Sequence, residues 1–210
     1  MDVMDTIKAI ENELKGSSIE MSSIDRKRTA LIVIDMINGF VYDGVLSSTR
    51  VASIVNNVAH INEMMKGYKK VFFIDSHNED SAEFCSFPVH CVKNSNEAEI
   101  IPELKSFLSE SENVISIEKN STNGFLNEKF QKWLNKNIDD VDNYIVVGCV
   151  TDICILQFAL SIKAYFNEKN KKKRIIVPIN SVDTYHGGNH DGDLMNLFAL
   201  YNMHSCGIEV

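Results

Sequence analysis

A cysteine stands where this sequence changes from a strand pattern to a helix pattern. The β-favouring run at residues 144–147 ends at Gly148, and Cys154 falls in the first turn of the helical pattern that follows. Backbone N–H groups without partners and the positive end of the helix dipole favour a thiolate there, and neighbouring N–H groups could hold an oxyanion. The pattern is typical of a cysteine nucleophile, although many unpaired cysteines are small buried apolar side chains.

Asp35 and Lys119 are the candidate partners of this nucleophile. A cysteine that attacks a carbonyl needs one group to take its proton and a second, positively charged group to balance the negative charge that results. Asp35 could be the base, and Lys119 could raise the thiolate fraction and hold Asp35 by ion pairing. The alternatives are a turn carboxylate for Asp35 and a surface lysine for Lys119.

A second set of residues could bind a metal ion. Asp75 and His77 lie two positions apart on an extended segment, Glu83 follows, and His90 comes thirteen residues after His77. Two histidines and two carboxylates suit a divalent first-row ion such as Zn²⁺, Mn²⁺ or Fe²⁺. Rival sulfur ligands lie in the same segment, at Cys85 and Cys91.

Strands must alternate with helices to position these residues. Apolar runs predict strands at 30–34, 71–74, 114–117, 144–147 and 175–178, with a possible sixth at 207–210. Helical patterns cover 51–65, 127–134, 152–166 and 193–203. This alternation predicts an α/β fold with a mostly parallel central sheet and helices on both faces, a Rossmann-like three-layer sandwich.

The candidate residues share one position relative to the predicted strands. Asp35, Asp75 with His77, Lys119 and Cys154 each come just after a predicted strand. Ligands of doubly wound sheets bind outside the carboxyl ends of the strands, so these residues should meet at one edge of the sheet.

Composition limits the class of protein. The chain has 210 residues, of which 44% are hydrophobic and 24% charged, and its formal charge is −8. The length and composition fit one globular domain. The negative charge argues against nucleic acid and anionic membrane as partners. Five cysteines without CxxC spacing indicate reduced thiols. Since neither a signal peptide nor a spanning segment is visible, we expect a soluble cytoplasmic protein.

The N-terminal residues 1–28 form a separate arm in this interpretation, and residues 29–210 form the domain. Residues 1–15 predict an amphipathic helix that carries Ile7, Ile10 and Leu14 on one face and ends at Gly16, Ser17 and Ser18. The helix could pack on the domain or on a second subunit, and we expect a homo-oligomer.

Four segments resemble the isochorismatase-like cysteine hydrolases, and within that superfamily the nicotinamidases. They are ALIVIDMINGF around Asp35, FFIDSHNEDSAEFCSFPVHC, the EK that precedes NSTNGF, and GCVTDIC ending at Cys154. Their order and spacing match the family over about residues 29–210. The sequence departs from the family's usual pattern at residues 36–39 and 94–95. These departures affect the shape of the pocket and remove no catalytic group. Residues 181–192 are expected to form a mobile loop near the mouth of the site.

The resemblance implies a catalytic triad of Cys154, Asp35 and Lys119. It also implies an oxyanion hole from the N–H groups of Val150 and Cys154, next to a cis peptide between Cys149 and Val150.

The same resemblance implies a metal bound by Asp75, His77, Glu83 and His90, with Phe40 and Phe87 against the substrate ring. Both phenylalanines could instead be core residues.

The resemblance favours hydrolysis of nicotinamide to nicotinate and ammonia in pyridine nucleotide salvage, with the metal binding the pyridine nitrogen. One alternative is a metal-independent cysteine amidohydrolase of the same superfamily that acts on a carbamoyl or ureido substrate. A third hypothesis is a non-catalytic scaffold that has kept the fold and binds a partner.

Overall fold

The computed structural model describes residues 2–15, 19 and 24–210, and in this part of the chain six parallel strands form one sheet. The strands are β1 Thr29–Ile34, β2 Lys69–Asp75, β3 Val114–Lys119, β4 Asn143–Cys149, β5 Arg174–Ile176 and β6 Val182–Asp183. Their order is β3-β2-β1-β4-β5, and β6 pairs with the end of β4. The predicted α/β class with a mostly parallel sheet is confirmed.

Helices lie before, between and after the strands in the chain. They are α1 Val3–Lys15, α2 Asn38–Val41, α3 Thr49–Ser53, α4 Val55–Met64, α5 Pro102–Lys105, α6 Glu128–Asn137, α7 Leu156–Glu168 and α8 Gly192–Ser205. Short 3₁₀ turns cover Arg26–Arg28, Ala82–Cys85, Asn96–Ala98, Ser106–Ser109, Gly124–Leu126 and Ile179–Ser181, and a π-helical turn covers Thr151–Ile155. Within the described ranges, no helix is both long and apolar enough to cross a membrane.

The central strand β1 separates two hydrophobic clusters. Ile32 and Ile34 face the cluster formed with α1, α6, α7 and α8, whereas Leu31 and Val33 face the cluster formed with α2 to α5. All six residues of β1 are buried, as expected for a strand covered on both faces. The fold therefore has the three predicted layers.

Helix α1 packs on its own chain. Ile10 and Leu14 are buried in the same cluster as Leu200 and Met203 of α8, and His204 of α8 lies 3.4 Å from a carboxylate oxygen of Glu13. The first of the two alternatives for this helix is therefore observed. Its expected end at Gly16, Ser17 and Ser18 lies outside the described residues, and the division into an arm and a domain stays a prediction.

The predicted sixth strand at residues 207–210 is wrong. Residues 207–210 make an isolated bridge between Glu209 and Ile176, and the sixth strand is instead Val182–Asp183. The chain leaves α8 through Gly207 at φ +77°, and Glu209 then exchanges backbone hydrogen bonds with Ile175 and Val177.

Two helices also differ from their predicted form. The pattern at 51–65 is divided at Ile54 into α3 and α4, and the pattern at 152–166 begins with the π turn before α7. In that turn the carbonyl of Val150 accepts from the N–H groups of both Ile153 and Ile155. Apolar spacing over a single turn does not distinguish a π turn from an α turn.

Gly148 allows the ends of β1 and β4 to approach each other. It has φ +116°, and a Cβ built there would lie 2.0 Å from the carbonyl oxygen of Ile34. Ile34 and Gly148 are register partners, and Asp35 and Cys149 follow them directly. A side chain at this position would separate the two strand ends that carry the site.

Replacing Gly148 with alanine should cost more than about 3 kcal/mol of unfolding free energy, because the Cβ clashes with backbone and the φ value is unfavourable. Gly67→Ala is the matched control, since Gly67 has φ +78° with open space around a Cβ. The control should cost about 1–2 kcal/mol. Urea unfolding of both variants measures the difference, and equal losses would contradict the close-approach explanation.

Candidate active site

Four chemically active side chains meet at the carboxyl edge of the sheet. Asp35 follows β1 directly, Asp75 ends β2, Lys119 ends β3, and Cys154 lies in the π turn after β4. Asp75 and Lys119 are register partners on neighbouring strands. Asp35 has φ +56°, an uncommon conformation for a residue other than glycine, which turns the chain at the end of β1. The predicted convergence at one edge is observed.

Lys119 lies at the centre of this group. Its Nζ is 2.8 Å from Asp35 Oδ2, 2.7 Å from Asp75 Oδ1 and 3.9 Å from Cys154 Sγ. The lysine and both carboxylates are at most 2% exposed. The structure thus brings the three predicted catalytic residues together and adds Asp75, which the sequence analysis had assigned to the metal alone.

Burial and pairing set the charges of the two carboxyl groups. Burial raises the pKa of Asp35 to about 7 against the opposing effect of Lys119, and the negative charge of Asp75 adds to the rise. Burial would also raise the pKa of Asp75, but Lys119 and the two neighbouring histidines lower it well below its usual range. Burial would lower the pKa of Lys119, yet the two carboxylates raise it well above its usual value. Asp75 and Lys119 are therefore charged at neutral pH, whereas Asp35 can gain or lose a proton there.

The expected thiolate at Cys154 is wrong for the free protein. Burial raises the pKa of the Cys154 thiol well above its usual value, and although Lys119 lowers it, Asp35 and Asp75 raise it further. The desolvation of a buried sulfur outweighs the dipole of one helical turn. A nucleophile at this position therefore needs a base to take its proton, and Asp35, with a pKa near 7, is suited to that role.

Cys154 and Val150 line the same cavity. The peptide between Cys149 and Val150 is cis, as expected from the resemblance. The thiol of Cys149 donates to the carbonyl oxygen of Asp35 over 3.1 Å, so the turn that carries the nucleophile is joined to the end of β1. The oxyanion role of the Val150 and Cys154 N–H groups stays a prediction.

The four predicted metal ligands form one cluster. A donor atom from each of Asp75, His77, Glu83 and His90 lies within 4.8 Å of the others. Asp75 Oδ2 is 2.9 Å from His77 Nε2 and 3.2 Å from His90 Nε2, and Glu83 Oε1 is 3.8 and 4.0 Å from the same nitrogens. Neither Cys85 nor Cys91 belongs to this cluster of described residues.

The donor set fits a divalent cation. Both imidazoles direct Nε2 at the same carboxylate oxygen, so protons or a cation must lie between them and Asp75. Lys119 supplies one positive charge beside Asp35 and Asp75, and a divalent ion would balance the negative charge of Glu83 and Asp75 beside the two histidines. Mixed nitrogen and oxygen ligands of this kind are typical of first-row metals.

A cavity of about 670 Å³ contains both halves of the site. Cys154 and Val150 line it together with the predicted ligands Asp75, Glu83 and His90. The two predicted aromatic residues also line it, with ring centroids 5.9 Å (Phe40) and 6.2 Å (Phe87) from that of His90. Phe40 is also buried in the core, and the contact of either phenylalanine with a substrate ring stays a prediction.

Several neighbours of the predicted ligands were not predicted from the sequence. The Phe84 ring packs edge-on against His77 and His90, with centroids 5.3 and 5.7 Å away. Asn120 and Ser81 contact the outer nitrogen of His77. The spacing of aromatic residues in the segment FCSF could have indicated Phe84. The polar contacts depend on loop conformation and leave no pattern in the sequence.

The loop at residues 181–192 lies at the mouth of the cavity, where Tyr185 and His186 form part of the wall. His190 stacks on Tyr185 at 3.8 Å, and its Nε2 lies 2.8 Å from Asp152 Oδ2 in the π turn. Arg50 donates to the carbonyl of Thr184 and to the side chains of Asp183 and Asp193. His190 thus joins the loop to the turn that carries Cys154, and Arg50 joins it to α3. The expected mobility of the loop stays a prediction.

Comparison with known proteins gives a consistent result. A family model described as the isochorismatase domain matches residues 29–203. Nicotinamidase 1 of Arabidopsis thaliana is 28% identical over 172 residues, which are 75% of this chain and 67% of that protein.

Two solved structures share the fold. N-carbamoylsarcosine amidase from Thermoplasma acidophilum has a TM-score of 0.68 and 25% identity, covering 87% of this chain and 95% of its own. A pyrazinamidase of Pyrococcus horikoshii in complex with zinc has a TM-score of 0.69 and 24% identity, covering 87% of this chain and 97% of its own.

Lys119→Met should lower the unfolding free energy by about 3–5 kcal/mol near pH 8, because two buried carboxylates lose their cation. The pKa of Asp35 is already raised to about 7, so Asp35 favours folding at low pH and this contribution is lost as the pH rises through 7. Without Lys119 the pKa rises further, and the loss should therefore be smaller near pH 5, where Asp35 is protonated.

Urea unfolding at the two pH values measures this effect. The matched control is Lys93→Met, which removes the exposed ion pair between Lys93 and Glu118, 2.7 Å apart. This change should lower the unfolding free energy by less than about 1 kcal/mol. A Lys119 variant as stable as the control would contradict the central place given to this ammonium group.

Proposed function

This chain belongs to the isochorismatase domain family, and from that premise we propose that it hydrolyses nicotinamide to nicotinate and ammonia through a thioester on Cys154. One observation carries the proposal: Lys119 contacts both Asp35 and the metal-ligand candidate Asp75, with Cys154 Sγ 3.9 Å away. A nucleophile and a ring-orienting metal site would then act on one small molecule in one cavity.

The reaction begins with proton transfer in this proposal. Asp35 takes the thiol proton of Cys154, and the sulfur attacks the amide carbonyl carbon. Lys119 stays protonated and favours the charged form of both Asp35 and the sulfur, because its Nζ lies close to both groups. The N–H groups of Val150 and Cys154 receive the oxyanion of the tetrahedral intermediate.

Collapse of that intermediate breaks the carbon–nitrogen bond. Asp35 returns its proton to the leaving nitrogen, and ammonia departs from a thioester on Cys154. Asp35 then takes a proton from a water molecule that attacks the thioester carbonyl. Breaking the carbon–sulfur bond releases nicotinate, and the thiol regains its proton.

Asp75, His77, Glu83 and His90 would hold a divalent ion, whose chemistry here is that of a Lewis acid for the pyridine nitrogen. Phe40 and Phe87 would limit the position of the ring, since both line the cavity beside His90. The 28% identical relative named Nicotinamidase 1 supports this substrate class.

The second candidate is a metal-independent amidohydrolase acting on a carbamoyl or ureido substrate. The likeness to N-carbamoylsarcosine amidase favours it at the level of the fold. The four converging donors favour nicotinamide, because a site without a metal would have little use for two histidines aimed at one carboxylate.

Ammonia release from nicotinamide and from N-carbamoylsarcosine separates the two candidates. We expect release from nicotinamide that a chelator suppresses and that Zn²⁺, Mn²⁺ or Fe²⁺ restores. Cys154→Ala should lower the rate more than about a thousandfold, whereas Cys206→Ala, at an exposed cysteine, should match the parent protein. Release from the carbamoyl substrate alone, unaffected by the chelator, would refute the proposal in favour of the second candidate.

A further inference from the structure

The ligand role of a histidine depends on which ring nitrogen carries the proton. For Nε2 to bind a metal ion, Nδ1 must hold the proton and donate it to an acceptor. His90 Nδ1 lies 2.7 Å from the carbonyl oxygen of Pro88, which can only accept. The backbone therefore determines the tautomer of His90, whereas His77 depends on a side chain.

That side chain is Asn120. Its Oδ1 lies 3.0 Å from His77 Nδ1, and a second hydrogen bond fixes the orientation of the amide. Ser81 Oγ donates to the same Oδ1 over 3.2 Å, while Ser81 Oγ itself accepts from the N–H of Glu83 at 3.4 Å. Ser81 Oγ also lies 3.3 Å from His77 Nδ1. With the ring proton on Nδ1, the single hydroxyl proton of Ser81 points to Asn120, and the amide presents its oxygen to both groups.

The reverse orientation would prevent metal binding. An amide NH₂ at this position would donate to His77 Nδ1 and move the ring proton to Nε2, the atom 2.9 Å from Asp75 Oδ2. Asn120 also follows Lys119 directly in the chain. Residues at the end of β3 therefore contact both the catalytic triad candidates and the ligand cluster.

We propose that Asn120 is a positioning residue that keeps the proton of His77 on Nδ1 and leaves Nε2 available to a divalent cation. The inference rests on the proposed function in one respect, the assignment of His77 as a metal ligand. Asn120 is exposed apart from this contact, so its replacement leaves no cavity in the core. A variant is therefore expected to fold.

Metal binding without substrate tests the assignment. Zn²⁺ affinity is measured for the full chain by competition with a chromophoric chelator, and the visible spectrum of the Co²⁺ form reports the ligand geometry. Asn120→Leu should weaken Zn²⁺ binding about ten- to a hundredfold and alter the Co²⁺ spectrum. The carboxylate in Asn120→Asp can only accept a hydrogen bond. This variant should therefore keep the Co²⁺ spectrum of the parent protein and bind Zn²⁺ at least as tightly as the parent protein does.

The matched control is Asn123→Leu, because Asn123 lies in the same loop and its amide donates to Ser161, away from the ligands. The control should retain the parent Zn²⁺ affinity. Leucine at position 120 with parent affinity, or leucine and aspartate variants weakened equally, would overturn the inference. A parent protein that binds Zn²⁺ but releases no ammonia from nicotinamide would refute the proposed substrate and leave the role of Asn120 intact.

Discussion

The site depends on one buried ammonium group that two carboxylates share. Lys119 lies within 2.8 Å of both Asp35 and Asp75, and all three side chains are almost fully buried. Without the lysine, two negative charges would face each other in a medium that solvates them poorly, at a cost of several kcal/mol. Because Asp35 faces the nucleophile and Asp75 faces the histidines, the same ion pair joins the acid–base half of the site to the ligand half. A substitution in one half of the site should therefore change the electrostatics of the other half.

The parallel sheet explains why such an arrangement can form. Strands β3, β2, β1 and β4 are consecutive neighbours, and their carboxyl ends deliver Lys119, Asp75, Asp35 and the turn of Cys154 to one edge. The close approach at Gly148 brings the last two of these together. Strand pairing sets Asp75 beside Lys119, and Asp35 directly follows β1, so the backbone of these three residues is placed by the sheet. Burial raises the pKa of the Cys154 thiol, and in the proposed mechanism Asp35 beside it takes the thiol proton.

Much of this arrangement could be predicted from the sequence, because buried strands are apolar on both faces and the candidates directly follow them. The convergence of Asp35, Asp75, Lys119 and Cys154 needed only that pattern and the geometry of parallel sheets. The protonation of Cys154 could not be predicted, since it depends on how far the folded chain excludes water. Partners such as Asn120 for His77 and Asp152 for His190 were also missed. Hydrogen bonds between loop side chains follow from loop conformation, which has no periodicity to read.

In the proposed reaction, Cys154 forms a covalent acyl intermediate with a pyridine carboxamide. Rapid acid quenching of the metal-loaded protein with nicotinamide, followed by intact-protein and peptide mass spectrometry, tests it most directly. We expect a transient nicotinoyl adduct that maps to the peptide containing Cys154 and is missing in Cys154→Ala. Turnover of nicotinamide with no adduct at any quench time, or an adduct on another cysteine, would contradict it.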